Sequence, residues 1–320
     1  MVKPSRLMFL SLGLAACGGG GDDGPQPPAP TSFAITAANA EAAVAKSWQA
    51  GDTSAGFAAM AGAGGVVTAT SAGAAKADPG LPSTTTLIHL VQQVSLGPEI
   101  LPCQVSGSIT LSGELANPTT LTAGDVITVV ADACDDGLGE VLDGEMRMTV
   151  DAIAGDFVAG AYDLTMTLEL TNFQVTTEAD VINSNGDVTV TLDTLAAPAV
   201  SARTEGSEIT VDGNTESLIL ADFESDRTLD AGISPSPWTL EVSGTLDASE
   251  LPGTIEYSTP VTFEGFDDNY PHTGELLVTG EDSSARLVTL DEVDVRIDVD
   301  LDGDGTVDTS IASTWDELDD

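Results

Sequence analysis

Positive charge is scarce in this sequence: Lys and Arg total 9 against 52 Asp and Glu, a formal net charge of −43. A chain without a basic surface does not neutralise phosphates, so nucleic-acid binding is not expected. Nor would charge draw it to anionic lipid headgroups. Aromatic residues make up only 4% of the chain, which leaves few platforms for stacking sugars. Histidine occurs only at His89 and His272, too thinly for a zinc cluster. A Gly-x-Ser-x-Gly elbow, a P-loop and a dinucleotide fingerprint are all missing. No apolar run approaches the roughly 20 residues that cross a bilayer. Yet 42% of the residues are hydrophobic, far too many for a disordered acidic tail. Asp outnumbers Glu, 33 to 19. Because Asp is a poor helix former, the acid belongs in turns and on strand faces.

The few cations begin at Lys3 and Arg6, ahead of a short apolar run over residues 7–14. That order fits the n-region and h-region of a secretory signal. Leu14-Ala15-Ala16-Cys17 follows and resembles the lipobox of bacterial prolipoproteins. The resemblance implies a signal peptide over residues 1–16, cut before Cys17, and lipidation of Cys17. Two or more acyl chains hold a protein stably on a membrane. Residues 17–32 are glycine-rich and then proline-rich, a flexible and then semi-extended tether. Gly18 stands where an Asp would signal inner-membrane retention, so the resemblance implies lipid anchoring at the outer membrane, on its periplasmic or exposed face. Lipidation removes Cys17 from pairing. Cys103 and Cys134 remain, and an even number in an oxidising compartment predicts a disulfide.

Residues 33–82 read as an Ala/Gly-rich helical segment, with a helix over 37–50 stopped by Gly51-Asp52. His89 lies in an apolar stretch and reads as a core histidine, while residues 84–96 are ambiguous between helix and strand. Residues 83–320 are read as one antiparallel β domain, in which the signal turns to period two from about Gln104 onward. Leu164, Met166, Leu168 and Leu170 alternate with polar residues, and so do Val188, Val190 and Leu192, and Val293, Val295, Ile297 and Val299. Such alternation predicts antiparallel strands with one dry and one wet face. A glycine followed by a polar residue recurs ahead of such runs at Gly107, Gly144, Gly186, Gly253 and Gly274, too irregularly for a solenoid or propeller. Asn185-Gly186 and Asp212-Gly213 read as hairpin turns. The expected fold is mainly β: a large antiparallel meander, formed as a sandwich, an open barrel or a folded sheet, with one or two N-terminal helices.

Chemistry concentrates in Asp300-Leu301-Asp302-Gly303-Asp304-Gly305-Thr306-Val307-Asp308. Alternate carboxylates on a tightly curling loop converge on one point, and calcium takes six to eight hard oxygens at about 2.3–2.6 Å. The run is similar to the first nine positions of an EF-hand loop. The resemblance implies calcium held by Asp300, Asp302, Asp304, Asp308 and the Thr306 carbonyl. It breaks at Ile311, where the EF-hand has its bidentate Glu, and the flanks read as strands rather than helices. Missing ligands are expected from water, Asp298, Asp316 or Glu317, with an affinity of roughly 10⁻⁴–10⁻³ M. Residues 132–140 read as an acidic turn and 266–272 as an exposed loop. The leading expectation is a non-catalytic envelope lipoprotein, a calcium-steadied β scaffold with a structural or binding role toward an envelope protein or glycan. Two alternatives stand beside it. One is an enzyme acting on surface polysaccharide through paired carboxylates. The other is a lipid or lipoprotein carrier with an open-barrel cavity.

Overall fold

The computed structural model describes residues 32–58 and 98–319, apart from turn positions 118, 119, 138, 158, 178–180, 215 and 268. The signal segment, Cys17, the tether up to residue 31, His89 and the rest of 59–97 lie outside the described residues. Helix α1 (Ala40–Ala58) precedes fourteen strands. The first seven are β1 (Glu99–Pro102), β2 (Ser106–Glu114), β3 (Val126–Asp135), β4 (Val141–Asp156), β5 (Ala161–Thr176), β6 (Val181–Asp193) and β7 (Ala199–Asp212). The others are β8 (Ser217–Asp230), β9 (Pro237–Ala248), β10 (Thr254–Phe266), β11 (Thr273–Gly280), β12 (Ser283–Thr289), β13 (Asp294–Asp300) and β14 (Thr309–Thr314), followed by α2 (Trp315–Asp319).

All fourteen strands form one sheet in strict sequence order, each antiparallel to the next. The expected meander is therefore a single open sheet. Its alternation puts one set of side chains on a dry face, such as Leu164, Met166 and Leu168 of β5 and Val188, Val190 and Leu192 of β6, all at most 1% exposed. Strict up-and-down order also sorts the turns. Those after odd-numbered strands lie at one end of the sheet and those after even-numbered strands at the other.

The long strands do not run straight. In β5 burial skips from Leu170 to Phe173 across Asn172, which takes φ 46°. In β3 it skips from Ala131 to Cys134 across Ala133, and in β8 from Leu220 to Phe223 across Asp222. Each skip is a bulge that re-aims the strand so that apolar side chains stay on the dry face beyond it. The neighbouring strand answers with glycine: a β-carbon on Gly144 would collide with the Asn172 carbonyl, and Gly144 itself takes φ 95°. The recurrent glycines Gly107, Gly144 and Gly186 thus sit inside strands, along a crease, rather than ahead of them. Asn185-Gly186 is part of this crease within β6 and not a hairpin turn. Asp212-Gly213 does end β7, at a turn closed by the Gly213 N–H to the Glu216 carbonyl, 2.7 Å.

Helix α1 lies across the strands on the dry face. Thr36 opens it, its N–H donating to Asn39 Oδ1 at 2.7 Å, one half of a capping box. The helix passes Gly51 and is described as far as Ala58, eight residues beyond the expected last position, Ala50. The reason is packing: a β-carbon on Gly51 would lie 2.9 Å from Val242 Cγ2 of β9, so glycine here permits close approach instead of ending the helix. Its buried positions, including Ala43, Val44, Ser47, Trp48 and Ala50, fall on one half of its circumference, the face laid on the sheet. A flat sheet would hold β10 and β14 about 19 Å apart. Yet the rings of Phe263 on β10 and Trp315, next after β14, lie 6.2 Å apart, with Trp48 of α1 at 5.0 and 4.8 Å from them. The C-terminal strands therefore curl over the helix.

Candidate functional site

The acidic loop is the hairpin between β13 and β14, at the sheet end that carries the turns after odd-numbered strands. β13 delivers Asp300, 8% exposed, to its base. Asp300 organises the loop: Oδ1 accepts from the Gly303 N–H at 2.8 Å, and Oδ2 from the Gly305 N–H at 2.8 Å. Gly303 and Gly305 take φ 71° and 84°, which lets the backbone curl round that carboxylate. Asp302 Oδ1 accepts from the Asp304 N–H at 3.3 Å. Asp304 Oδ1 accepts from the hydroxyl and N–H of Thr306, and these two bonds hold the Asp304 carboxyl below the usual carboxylate range.

The outcome is convergence. One carboxylate oxygen from each of Asp300, Asp302 and Asp304 lies within 4.8 Å of the others. Ligands at calcium's usual bond lengths stand at most about 5 Å apart, so this hard-oxygen set fits the ion. Asp308, another expected ligand, does not join this set. Asp308 Oδ2 accepts from the Leu301 N–H at 2.8 Å and closes the base of the loop. Thr306 serves through its hydroxyl and N–H in positioning Asp304.

The supplementary ligands are placed elsewhere. Asp298 is bound by Arg296 at 2.8 and 2.9 Å and by the Ser310 hydroxyl at 2.6 Å. Burial would raise its pKa, but these bonds and the charges of Arg296 and Arg286 hold it low. Asp316 and Glu317 stand at the other end of β14, about 17 Å away along the strand. There Asp316 faces the Tyr270 hydroxyl at 3.4 Å, and Glu317 accepts from the Thr314 N–H at 3.0 Å. The turn between β11 and β12 lies against the loop instead: the Asp282 carbonyl oxygen is 3.1 Å from the β-carbon position of Gly303. No local sequence signal marks Asp282, because the pairing of Ser284 with Asp300 brings it there.

Cys103 and Cys134 form the expected disulfide, with Cα atoms 5.5 Å apart, joining the β1–β2 turn to β3. Asp136, nearby, accepts from the Gln104 N–H at 3.0 Å, and Asp135 from the Gly137 N–H at 2.7 Å, so the acidic stretch after β3 is a turn. The 266–272 loop is not a free tip. Tyr270 stacks on Trp315 at 5.5 Å and donates its hydroxyl to Asp319 at 2.6 Å. On the wet face Arg203 bridges Glu205, Glu224 and Asp226 at 2.9–3.4 Å. Burial, with Asp226 and Glu205, raises the pKa of Glu224 against the pull of Arg203. Its side chain is 40% exposed, so this is an open ion-pair network rather than a cleft. No family model, curated protein or solved structure matches the chain.

Proposed function

We propose that the chain is an envelope lipoprotein: a non-catalytic β scaffold, lipid-anchored through Cys17 at the outer membrane and steadied by calcium in the 300–308 loop. The observation that carries the calcium part is the convergence of Asp300, Asp302 and Asp304 within 4.8 Å at one hairpin tip. Calcium there would offset the mutual repulsion of three carboxylates and fix the β13–β14 hairpin against the β11–β12 turn. Anchoring rests on the ordered n-region, apolar run and lipobox. A scaffold is favoured over a lipid carrier by α1, which lies across the buried side chains of the dry face. The anchoring claim is tested by expressing the chain with radiolabelled palmitate in a Gram-negative host. The wild type should take up label and sediment with membranes, and Cys17→Ser should do neither. A wild-type chain that is exported unlabelled refutes the anchor.

A further inference from the structure

The turns after even-numbered strands hold an arrangement that neither calcium nor anchoring uses. Three neighbouring ones, 157–160, 194–198 and 231–236, contain no charged residue in a chain of net charge −43. Each instead follows an aspartate that ends its strand and caps the turn backbone. Asp156 accepts from the Ala159 N–H, Asp193 from Leu195 and Asp230 from Gly232, at 2.8–3.0 Å. The turns are also joined to one another. Thr194 Oγ1 donates to the Gly160 carbonyl at 3.1 Å, and the Ala231 N–H to the Pro198 carbonyl at 3.3 Å. At their tips Leu195 and Ile233 are 55% and 54% exposed. The three turns of this rim are therefore linked, with Leu195 and Ile233 exposed at their tips, its crest, and an aspartate at the foot of each turn.

We infer that this rim is a docking surface for a protein segment that is apolar at its centre and basic at its margin. Charge complementarity selects that occupant. The crest offers apolar contact and the aspartates beneath it offer only negative charge, the pattern of an apolar interface core with a charged border. Among the described residues of these turns there is no lysine or arginine. A second copy of the chain would bring two strongly negative bodies together, and an anionic bilayer would repel the same aspartates. The inference rests on neither the calcium nor the anchoring reading.

The test uses the full chain carrying Cys17→Ser and a synthetic amphipathic peptide of leucine and lysine, with binding followed by calorimetry at physiological salt. Leu195→Asp combined with Ile233→Asp should weaken binding at least tenfold, whereas Val261→Asp on the exposed part of β10 should not weaken it. All these variants add negative charge, so plain attraction to an acidic protein predicts tighter binding for each, and only loss of the apolar crest predicts the drop. Should the double aspartate variant misfold, Leu195→Ser with Ile233→Ser is expected to show the same drop. Equal binding by wild type and rim variant overturns the proposal, as does equal binding of a peptide with glutamate in place of lysine. Rim-dependent dimers in sedimentation, or rim-dependent flotation with phosphatidylcholine vesicles, would likewise overturn it in favour of a second copy or a membrane.

Discussion

Gly51 of α1 sits directly over Val242 of β9, so close that a methyl group on Gly51 would meet Val242 Cγ2 at 2.9 Å. This contact sets how near the helix comes to the sheet. An alanine in a helix interior ordinarily gains about 1 kcal/mol over glycine. Here Gly51→Ala is expected to destabilise by about 1 kcal/mol, because Val242 must shift within a packed core. In a Val242→Ala background the same change should stabilise. A double-mutant cycle in urea measures the coupling. Simple additivity would show that the contact does not limit the packing.

Lys46 holds the same helix from its other side. It is paired with Glu216 and lies 3.3 Å from Glu250, with its side chain 13% exposed. Burial would lower its pKa, but the hydrogen bond and charge of Glu216, aided by Glu250, raise it above 10.5. A folded-state pKa above the unfolded one gives stability that is complete below pH 10.5 and lost as pH rises through the folded value. Lys46→Met should therefore cost about 1–3 kcal/mol at neutral pH. The gap to wild type should close above the folded value. Thermal unfolding of both chains across the alkaline range checks this, and a gap independent of pH would assign the loss to packing alone.

Asp298 sets an acid limb. Its folded pKa lies below 3.8, so its contribution is present above 3.8 and fades as pH falls through the folded value. Asp298→Asn should cost about 1–3 kcal/mol at neutral pH through its charged hydrogen bonds with Arg296 and Ser310. Melting curves of the variant and wild type should converge in strong acid. Failure to converge would mean that the Arg296 pair is not the source of the effect.

The crease predicts a contrast between glycines. Gly144→Ala forces a β-carbon into the Asn172 carbonyl at φ 95°, and about 3 kcal/mol or more should be lost. Gly124 takes φ 90° with open space around its β-carbon position, so Gly124→Ala should cost only about 1 kcal/mol. Urea midpoints at a common slope give both numbers. Equal costs would show that backbone conformation, and not the close crossing of β4 and β5, requires the glycine.

The strands were legible because each carries its own alternation, and a meander needs only neighbour-to-neighbour pairing. The bulges were not: Asn172 and Gly144 are ordinary in sequence, and their relation exists only once β4 and β5 are paired. The same holds for Gly51, whose meaning depends on Val242. In the acidic loop, Asp300, Asp302 and Asp304 could be read because their convergence is local. Asp298 misled because Arg296, on its own strand, takes its carboxylate. Asp316 and Glu317 misled because β14 carries them to the far end of the sheet.

Calcium-linked stability tests the account most directly. The chain carrying Cys17→Ser is unfolded by heat in 10 mM calcium and again in excess chelator, alongside the Asp302→Ala, Asp304→Ala double variant. At an affinity of roughly 10⁻⁴–10⁻³ M, binding adds about 1.4–2.7 kcal/mol at that concentration. The midpoint should therefore rise by about 3–10 °C. That rise should vanish in the double variant. An unchanged midpoint in the wild type, or an equal rise in both chains, would contradict the claim that the 300–308 loop holds calcium.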